Sequence, residues 1–268
     1  MTAEPAPKFA DLGVRVASAV VLLAVALVDF WHGGIFVTAL VTLATALMVW
    51  ELRRIVLSDL LLGDHGLWVM ILAASSCIVA TGFFSIIHGV TALFAGVVLV
   101  GLVARNRLLW MVPGLIYISL GMALLVELRR DPVEGFPLVL WLVAVVIAAD
   151  VGGYFAGRMI GGPKFWPRVS PKKTWAGVVG GLVLAVCVGA AFDISARISL
   201  PWLVAYSLGL ALASQAGDLA ESALKRRFNV KDSSNIIPGH GGLLDRFDGL
   251  LGALWVYGLV TIIPGLLT

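Results

Sequence analysis

Ser222–Asp248 reads SALKRRFNVKDSSNIIPGHGGLLDRFD, and its contrast with what flanks it decides how the chain is read. Within these 27 residues stand five basic side chains (Lys225, Arg226, Arg227, Lys231, Arg246), three carboxylates (Asp232, Asp245, Asp248) and the turn Gly239-His240-Gly241-Gly242. Apolar runs border it on both sides, at residues 201–224 and 249–267. Over 268 residues the chain is 60% hydrophobic and 13% charged, whereas soluble domains carry about 25% charged residues. The sequence therefore predicts an all-α, polytopic integral membrane protein. Cys77 and Cys187 lie in apolar runs without metal-ligand spacing and read as small buried hydrophobes, so no disulfide framework is implied.

Outward from that stretch, the other apolar segments fall at 12–28, 34–50, 67–87, 90–104, 108–126, 136–155 and 175–196, which makes nine spans in all. The 90–104 segment is short of the ~20 residues a span needs, so eight is the alternative. Lys8, Arg15 and Ala24-Val25-Ala26 mimic a cleavable leader, but the next apolar run follows at once and the first is read as a span. With the N-terminus cytoplasmic, 16 of the 19 Lys and Arg fall on cytoplasmic segments, and only Arg129, Arg130 and Arg197 fall outside. That asymmetry predicts nine spans with the C-terminus outside and the polar loops 156–174 and 225–248 facing the cytoplasm. Residues 1–130 then hold spans one to five, and residues 131–268 hold spans six to nine with both polar loops.

Chemistry is expected in those loops and on the helices that enter them. Ser214, Asp218, Glu221, Ser222 and Lys225 are spaced to share a helical face in span eight. A carboxylate inside a span is costly and normally faces a protein interior or a watery cavity, which makes Asp218 a site candidate, with an ion pair to Lys225 or Arg158 as its structural alternative. Asp245 and Asp248 stand three apart at the start of span nine, where capping is the simpler use. Beside Asp218, the three carboxylates form a candidate Mg²⁺ site completed by phosphate oxygens. The other loop carries Ser170-Pro171-Lys172-Lys173-Thr174, whose lysines and hydroxyls suit a triphosphate, or a helix cap at Thr174. Asp150 is a second intramembrane carboxylate and a further metal candidate, with a pair to Arg158 as the alternative.

The remaining polar residues read as structural. His32, His65 and His88 lack a partner at ligand spacing, and His240 is explained by its glycine turn. Glu51 with Arg54 and Glu127 with Arg130 are i, i+3 pairs at helix ends. Trp31, Trp68, Trp110 and Trp202 are interfacial anchors, and Gly177, Gly180 and Gly181 allow close helix packing.

Ser222, Lys225-Arg226, Lys231-Asp232, Pro238, His240-Gly241-Gly242, Asp245-Arg246 and Asp248 together resemble the signature of the phosphatidate cytidylyltransferase (CDP-diacylglycerol synthase) family. Ser170–Thr174 resembles a second segment of that family, which often carries an acid two residues after the Thr where this chain has Ala176. Asp150 with Gly152–Arg158 resembles a third segment, Gly153 standing where the family has Ala. The resemblance covers the last 120 residues or so. It implies a nucleotidyltransferase of phospholipid biosynthesis in the cell inner membrane, moving the cytidylyl group of CTP to phosphatidic acid with Mg²⁺, and with a second cation as an option. Asp218, Lys225, Asp245 and Asp248 would be catalytic, with the three carboxylates holding metal. Ser170, Lys172, Lys173, Thr174, Ser222, Arg226, Lys231, His240, Gly241, Gly242 and Arg246 would bind substrate, the lipid headgroup reaching a funnel between spans six and nine. A homodimer is implied by the family alone, and no nucleic-acid partner is expected. Alternatives are a CTP-dependent polyprenol kinase and, from another class, a transporter with intramembrane carboxylates. A CDP-alcohol phosphatidyltransferase is disfavoured, because Asp245 and Asp248 are three rather than four apart.

Overall fold

The computed structural model describes residues 24–57, 65–103, 107–192, 199–237 and 241–262. Helix α1, described over 24–32, is followed by α2 (Gly34–Val56), α3 (His65–Phe83), α4 (Ile86–Val103), α5 (Leu108–Arg129) and α6 (Gly135–Met159). Two strands, β1 (Lys164–Trp166) and β2 (Ser170–Thr174), separate α6 from α7 (Trp175–Ala190), after which come α8 (Leu200–Arg227) and α9 (Leu244–Tyr257), the last continuing as a π-helical turn over Gly258–Ile262. Helices α2 to α6 are each long and apolar enough to cross a membrane. Most of the predicted first span, residues 12–23, lies outside the described residues.

The segment that left eight or nine spans open is a separate helix. The chain breaks at Phe84 and Ser85, Ser85 Oγ pairs with His88 Nδ1 at 2.9 Å, and α4 then runs for 18 residues. Helix α2 also outruns its predicted end at residue 50. Arg53 is buried within the helix and donates to Met111 Sδ at 3.2 Å, so it does not mark the helix end. Glu127 and Arg130 pair at 3.0 Å as the spacing predicts, whereas Glu51 does not serve as Arg54's interfacial partner, and its use is described with the site.

The predicted all-α chain carries one exception. Lys164 pairs with Thr174 and Trp166 with Ser170 in an antiparallel hairpin closed by a turn with Pro167 second, where proline's fixed φ is favoured. At the turn, Val169 N donates to Trp166 O at 3.1 Å.

The core is built from buried Met48, Leu52, Met70, Leu115, Trp141 and Leu251 across α2, α3, α5, α6 and α9. Consecutive helices pack most closely as the hairpins α3–α4, α6–α7 and α8–α9. Small residues set the last two. A Cβ on Gly181 would lie 2.5 Å from Ala149 O, and one on Gly217 would overlap Asp248 O, so only glycine admits these separations. At about 1.5 Å per residue, α8 is ~42 Å long, and its last turn carries Lys225, Arg226 and Arg227.

Candidate active site

Four elements enclose a cavity of about 420 Å³: the second half of α6, strand β2, the first turn of α7 and the middle of α8. Asp150, Arg158, Ser170, Lys172, Lys173 and Asp218 stand on its wall. Strand β2 lines the cavity with Ser170, Lys172, Lys173 and Thr174, and at its end Thr174 passes directly into α7. Thr174 is buried and its Oγ1 accepts from Gly177 N at 3.1 Å, which is the helix cap its position predicts. Lys173 Nζ donates to Asp218 Oδ2 at 2.9 Å. The partner of Asp218 is thus neither Lys225 nor Arg158, and this one contact joins the two clusters that the sequence keeps 45 residues apart. Arg158 donates to Tyr154 Oη at 2.8 Å, leaving Asp150 open on the cavity, within electrostatic reach of Lys173 and Arg246. Ala176 lies on the other side of α7, in an apolar groove with Ile160, Val179 and Val183, so an acid there would point away from the cavity.

Beside the cavity, Lys225 bridges Glu221 Oε2 at 2.8 Å and Asp245 Oδ1 at 2.6 Å. Asp245 also accepts from Ser233 N, from Ser233 Oγ at 3.0 Å and from Gly242 N at 2.9 Å. Asp245 precedes the apolar run of α9. Its burial works to raise the carboxyl pKa, but the hydrogen bond from Lys225, the Gly242 amide, the Lys225 charge and the Ser233 amide outweigh burial and hold it below the usual Asp value. Asp248 lies within electrostatic reach of Asp218 and Glu221. Its Oδ1 accepts from Gly249 N at 2.7 Å. Glu221 Oε1 is buried without a hydrogen-bond partner. The polar stripe of α8 is therefore shared out: Asp218 borders the cavity and accepts from Ser222 Oγ at 3.4 Å, while Ser214 and Glu221 are buried.

Among the described residues no group of three or more His, Cys, Asp and Glu is arranged as a metal centre, and Asp245 in particular is turned towards Lys225 instead of joining Asp218 and Asp248. A protein-only cage is not what Mg²⁺ needs, since it is bound through one or two carboxylates plus water and phosphate oxygens. Asp218 and Asp248, next to the orphaned Glu221 oxygen, fit that demand. Arg226 and Lys231 are exposed, Arg226 reaching Val230 O at 3.5 Å, and neither stands on the cavity wall. Gly241 adopts φ +84°, a conformation glycine allows, and His240 lies outside the described residues.

Sequence reading missed Glu51. It is fully buried and accepts from Leu243 N at 2.8 Å, from Leu244 N at 2.6 Å and from Ser234 Oγ, so α2 caps the first turn of α9. Arg54 instead lies over the Trp50 ring, 5.7 Å from its centroid. A Cβ on Gly242 would collide with Ser233 Oγ and Glu51 Oε1, which accounts for the second glycine of the pair. Glu51 and Asp245 together hold the Ser233-Ser234 and Gly242–Leu244 segments from which Arg246 and Asp248 project. The available signal was a carboxylate inside an apolar run, the criterion that singled out Asp218.

Fold and cavity together define a multi-helix membrane protein with a cavity lined by lysines and carboxylates where its polar segments meet the bundle. The chain belongs to the cytidylyltransferase family, whose model matches residues 13–263. It is similar to the phosphatidate cytidylyltransferase of Brucella abortus biovar 1 (strain 9-941), 43% identical over 165 residues that make up 59% of this chain and 60% of that protein. Similar matches are the phosphatidate cytidylyltransferases of Bacillus subtilis (strain 168), 42% identical over 51% of each chain, and of Rickettsia bellii (strain RML369-C), 36% identical over 55% of this chain and 67% of the other. The chain thus spans about three-fifths of the length of the Brucella relative.

Proposed function

We propose that this protein transfers the cytidylyl group of CTP to phosphatidic acid, giving CDP-diacylglycerol and pyrophosphate. The observation that carries the reading is the Lys173–Asp218 contact, which draws the lysine-bearing hairpin onto a helix carrying carboxylates, at the edge of an apolar bundle. A phosphate oxygen of the lipid attacks the α-phosphorus of CTP, and the bond from that phosphorus to the bridging oxygen of the β-phosphate breaks as pyrophosphate leaves. The nucleophile is already an anion, so positioning and charge neutralisation do most of the catalysis. Lys172, Lys173 and Arg158 serve the triphosphate, and Lys173 exchanges its Asp218 contact for phosphate when CTP arrives. Asp218 and Asp248 would hold Mg²⁺, which supplies charge neutralisation on the phosphate oxygens. Asp245 and Lys225 position that pair by fixing the first turn of α9. The cavity faces the cytoplasm in a chain that crosses the inner membrane nine times, with its N-terminus inside, as the distribution of Lys and Arg supports.

Purified protein with phosphatidic acid and Mg²⁺ should carry label from [α-³²P]CTP into the lipid phase and leave label from [γ-³²P]CTP in released pyrophosphate. Lipid labelled from the γ position would make it a kinase, and labelling from neither would overturn the enzyme reading in favour of transport.

A further inference from the structure

A second cavity, about 440 Å³, lies away from the nucleotide cavity, between α1, α2, α5 and the start of α9. Its wall is aliphatic and aromatic except at one place. Phe30, Ala44, Met122 and Phe247 are typical of the lining, and among the described residues Arg246 is the one charged residue on it. On α2 the lining runs from Leu40 to Leu47, about 10 Å at 1.5 Å per residue. Leu47 lies one turn from Glu51, which holds the Leu243 and Leu244 amides, so the groove begins level with the first turn of α9 and runs from there into the apolar depth of the bundle.

The charge sits where an amphiphile would need it. Arg246 lines the groove and also acts electrostatically on Asp150, which stands on the wall of the nucleotide cavity. Arg246 thus stands on the groove wall, and its charge is felt across at the nucleotide cavity, whose wall it does not itself line. Around α9 the successive residues divide between them: Leu243, Arg246 and Phe247 face the groove, while Asp245 and Asp248 face α8. A narrow apolar groove with a cation at one end matches a molecule with an anionic head and a hydrocarbon tail, because guanidinium pairs well with phosphate oxygens and the rest of the wall offers a tail nothing but apolar surface.

We infer that this groove is the acyl-chain subsite of the lipid substrate, with one tail between α2, α5 and α9 and the phosphate drawn by Arg246 towards the nucleotide cavity. The inference rests on the reading of phosphatidic acid as acceptor. It places a tail on the α1–α2–α5 side of α9, while the resemblance implies only a headgroup reaching a funnel between spans six to nine. It also gives the first half of the chain a part in substrate selection.

The test compares dioleoyl with dihexanoyl phosphatidic acid in mixed micelles at fixed mole fraction, for the parent, for Ala44→Trp, which fills the groove, and for Val183→Trp, which adds the same bulk to the outer face of α7. Ala44→Trp should raise KM for the dioleoyl lipid by about tenfold or more, since excluding even a few methylenes from an apolar site is an effect of that size. Turnover of the dihexanoyl lipid and KM for CTP should stay near the parent's and report an intact fold, and Val183→Trp should change neither lipid's kinetics. An equal effect of Ala44→Trp on both lipids would overturn the subsite. Independently of turnover, phosphatidic acid bearing a diazirine in its acyl chain should, on irradiation, label Phe30, Met122 or Phe247 in the parent. Labelling confined to α6 and α7 overturns the subsite even where cytidylyl transfer is found, whereas groove labelling without transfer supports the subsite and sinks the proposed reaction.

Discussion

At the level of single residues, two buried carboxylates do different work from what their spacing suggests. Glu51 has an i, i+3 partner in Arg54 that it does not use, and it satisfies three donors on the far side of a chain separation of up to 193 residues. Glu51→Gln keeps the shape but presents an NH₂ to donors, and hydrogen bonds to charged groups are worth about 1.5–3 kcal/mol. The variant should melt roughly 5 °C lower in detergent, the shift expected for a chain of this size, while Arg54→Gln should melt with the parent. Equal shifts in the two would restore the interfacial pair. Asp245→Asn deprives Lys225 of one of its two buried partners, a loss of about 3 kcal/mol or more for a broken buried pair. The sign of its pH dependence follows from the depressed pKa. An unfolded Asp titrates near ~3.9; above that pH the folded carboxylate contributes in full, and its contribution disappears as the pH falls through the lower folded value. The stability gap between parent and Asp245→Asn should therefore be widest near neutrality and close in acid. A gap that widened on acidification would contradict the Lys225 clamp.

Among the elements, the β1–β2 hairpin and α7 determine which residues meet the proposed nucleotide cavity. Strand β2 brings Ser170, Lys172 and Lys173 to the cavity wall, and the Thr174 cap starts α7 so that Ala176 lies on its opposite side, against Val179 and Val183. The family's acid at this place would therefore sit beside the first turn of a helix, where its charge is favourable, without reaching the cavity. Ala176→Glu should leave kcat and KM for CTP within a few-fold of the parent, since a tenfold change needs about 1.4 kcal/mol in the barrier. A hundredfold loss in a protein of unchanged melting temperature would show that α7 rotates during the reaction.

For the whole molecule, what the sequence made legible was what depends on local composition: the helices, the two polar segments and Asp218 as a carboxylate facing a cavity. The α3–α4 boundary was ambiguous because both sides of it are equally apolar, and the break turns on Ser85 and His88, too few residues to register in hydropathy. Glu51 capping α9 and Lys173 meeting Asp218 were illegible because each joins distant segments, and no spacing rule spans such separations. Burial also governs the choice of probes for the proposed orientation. Ser234 would be a natural cysteine position in the 225–248 loop, but it is 2% exposed and donates to Glu51, so silence there would carry no information. Asn235 and Arg168 are exposed on the two polar segments, and Ser199 is exposed at the start of α8. In a background with Cys77 and Cys187 replaced by Ala, a membrane-impermeant maleimide should label Ser199→Cys in intact cells and spare Arg168→Cys and Asn235→Cys. In inverted vesicles the pattern should reverse. Labelling of Arg168→Cys from outside would place the nucleotide cavity on the wrong side of the membrane for cytoplasmic CTP, and with it would go the nine-span topology, whatever activity the purified protein retains.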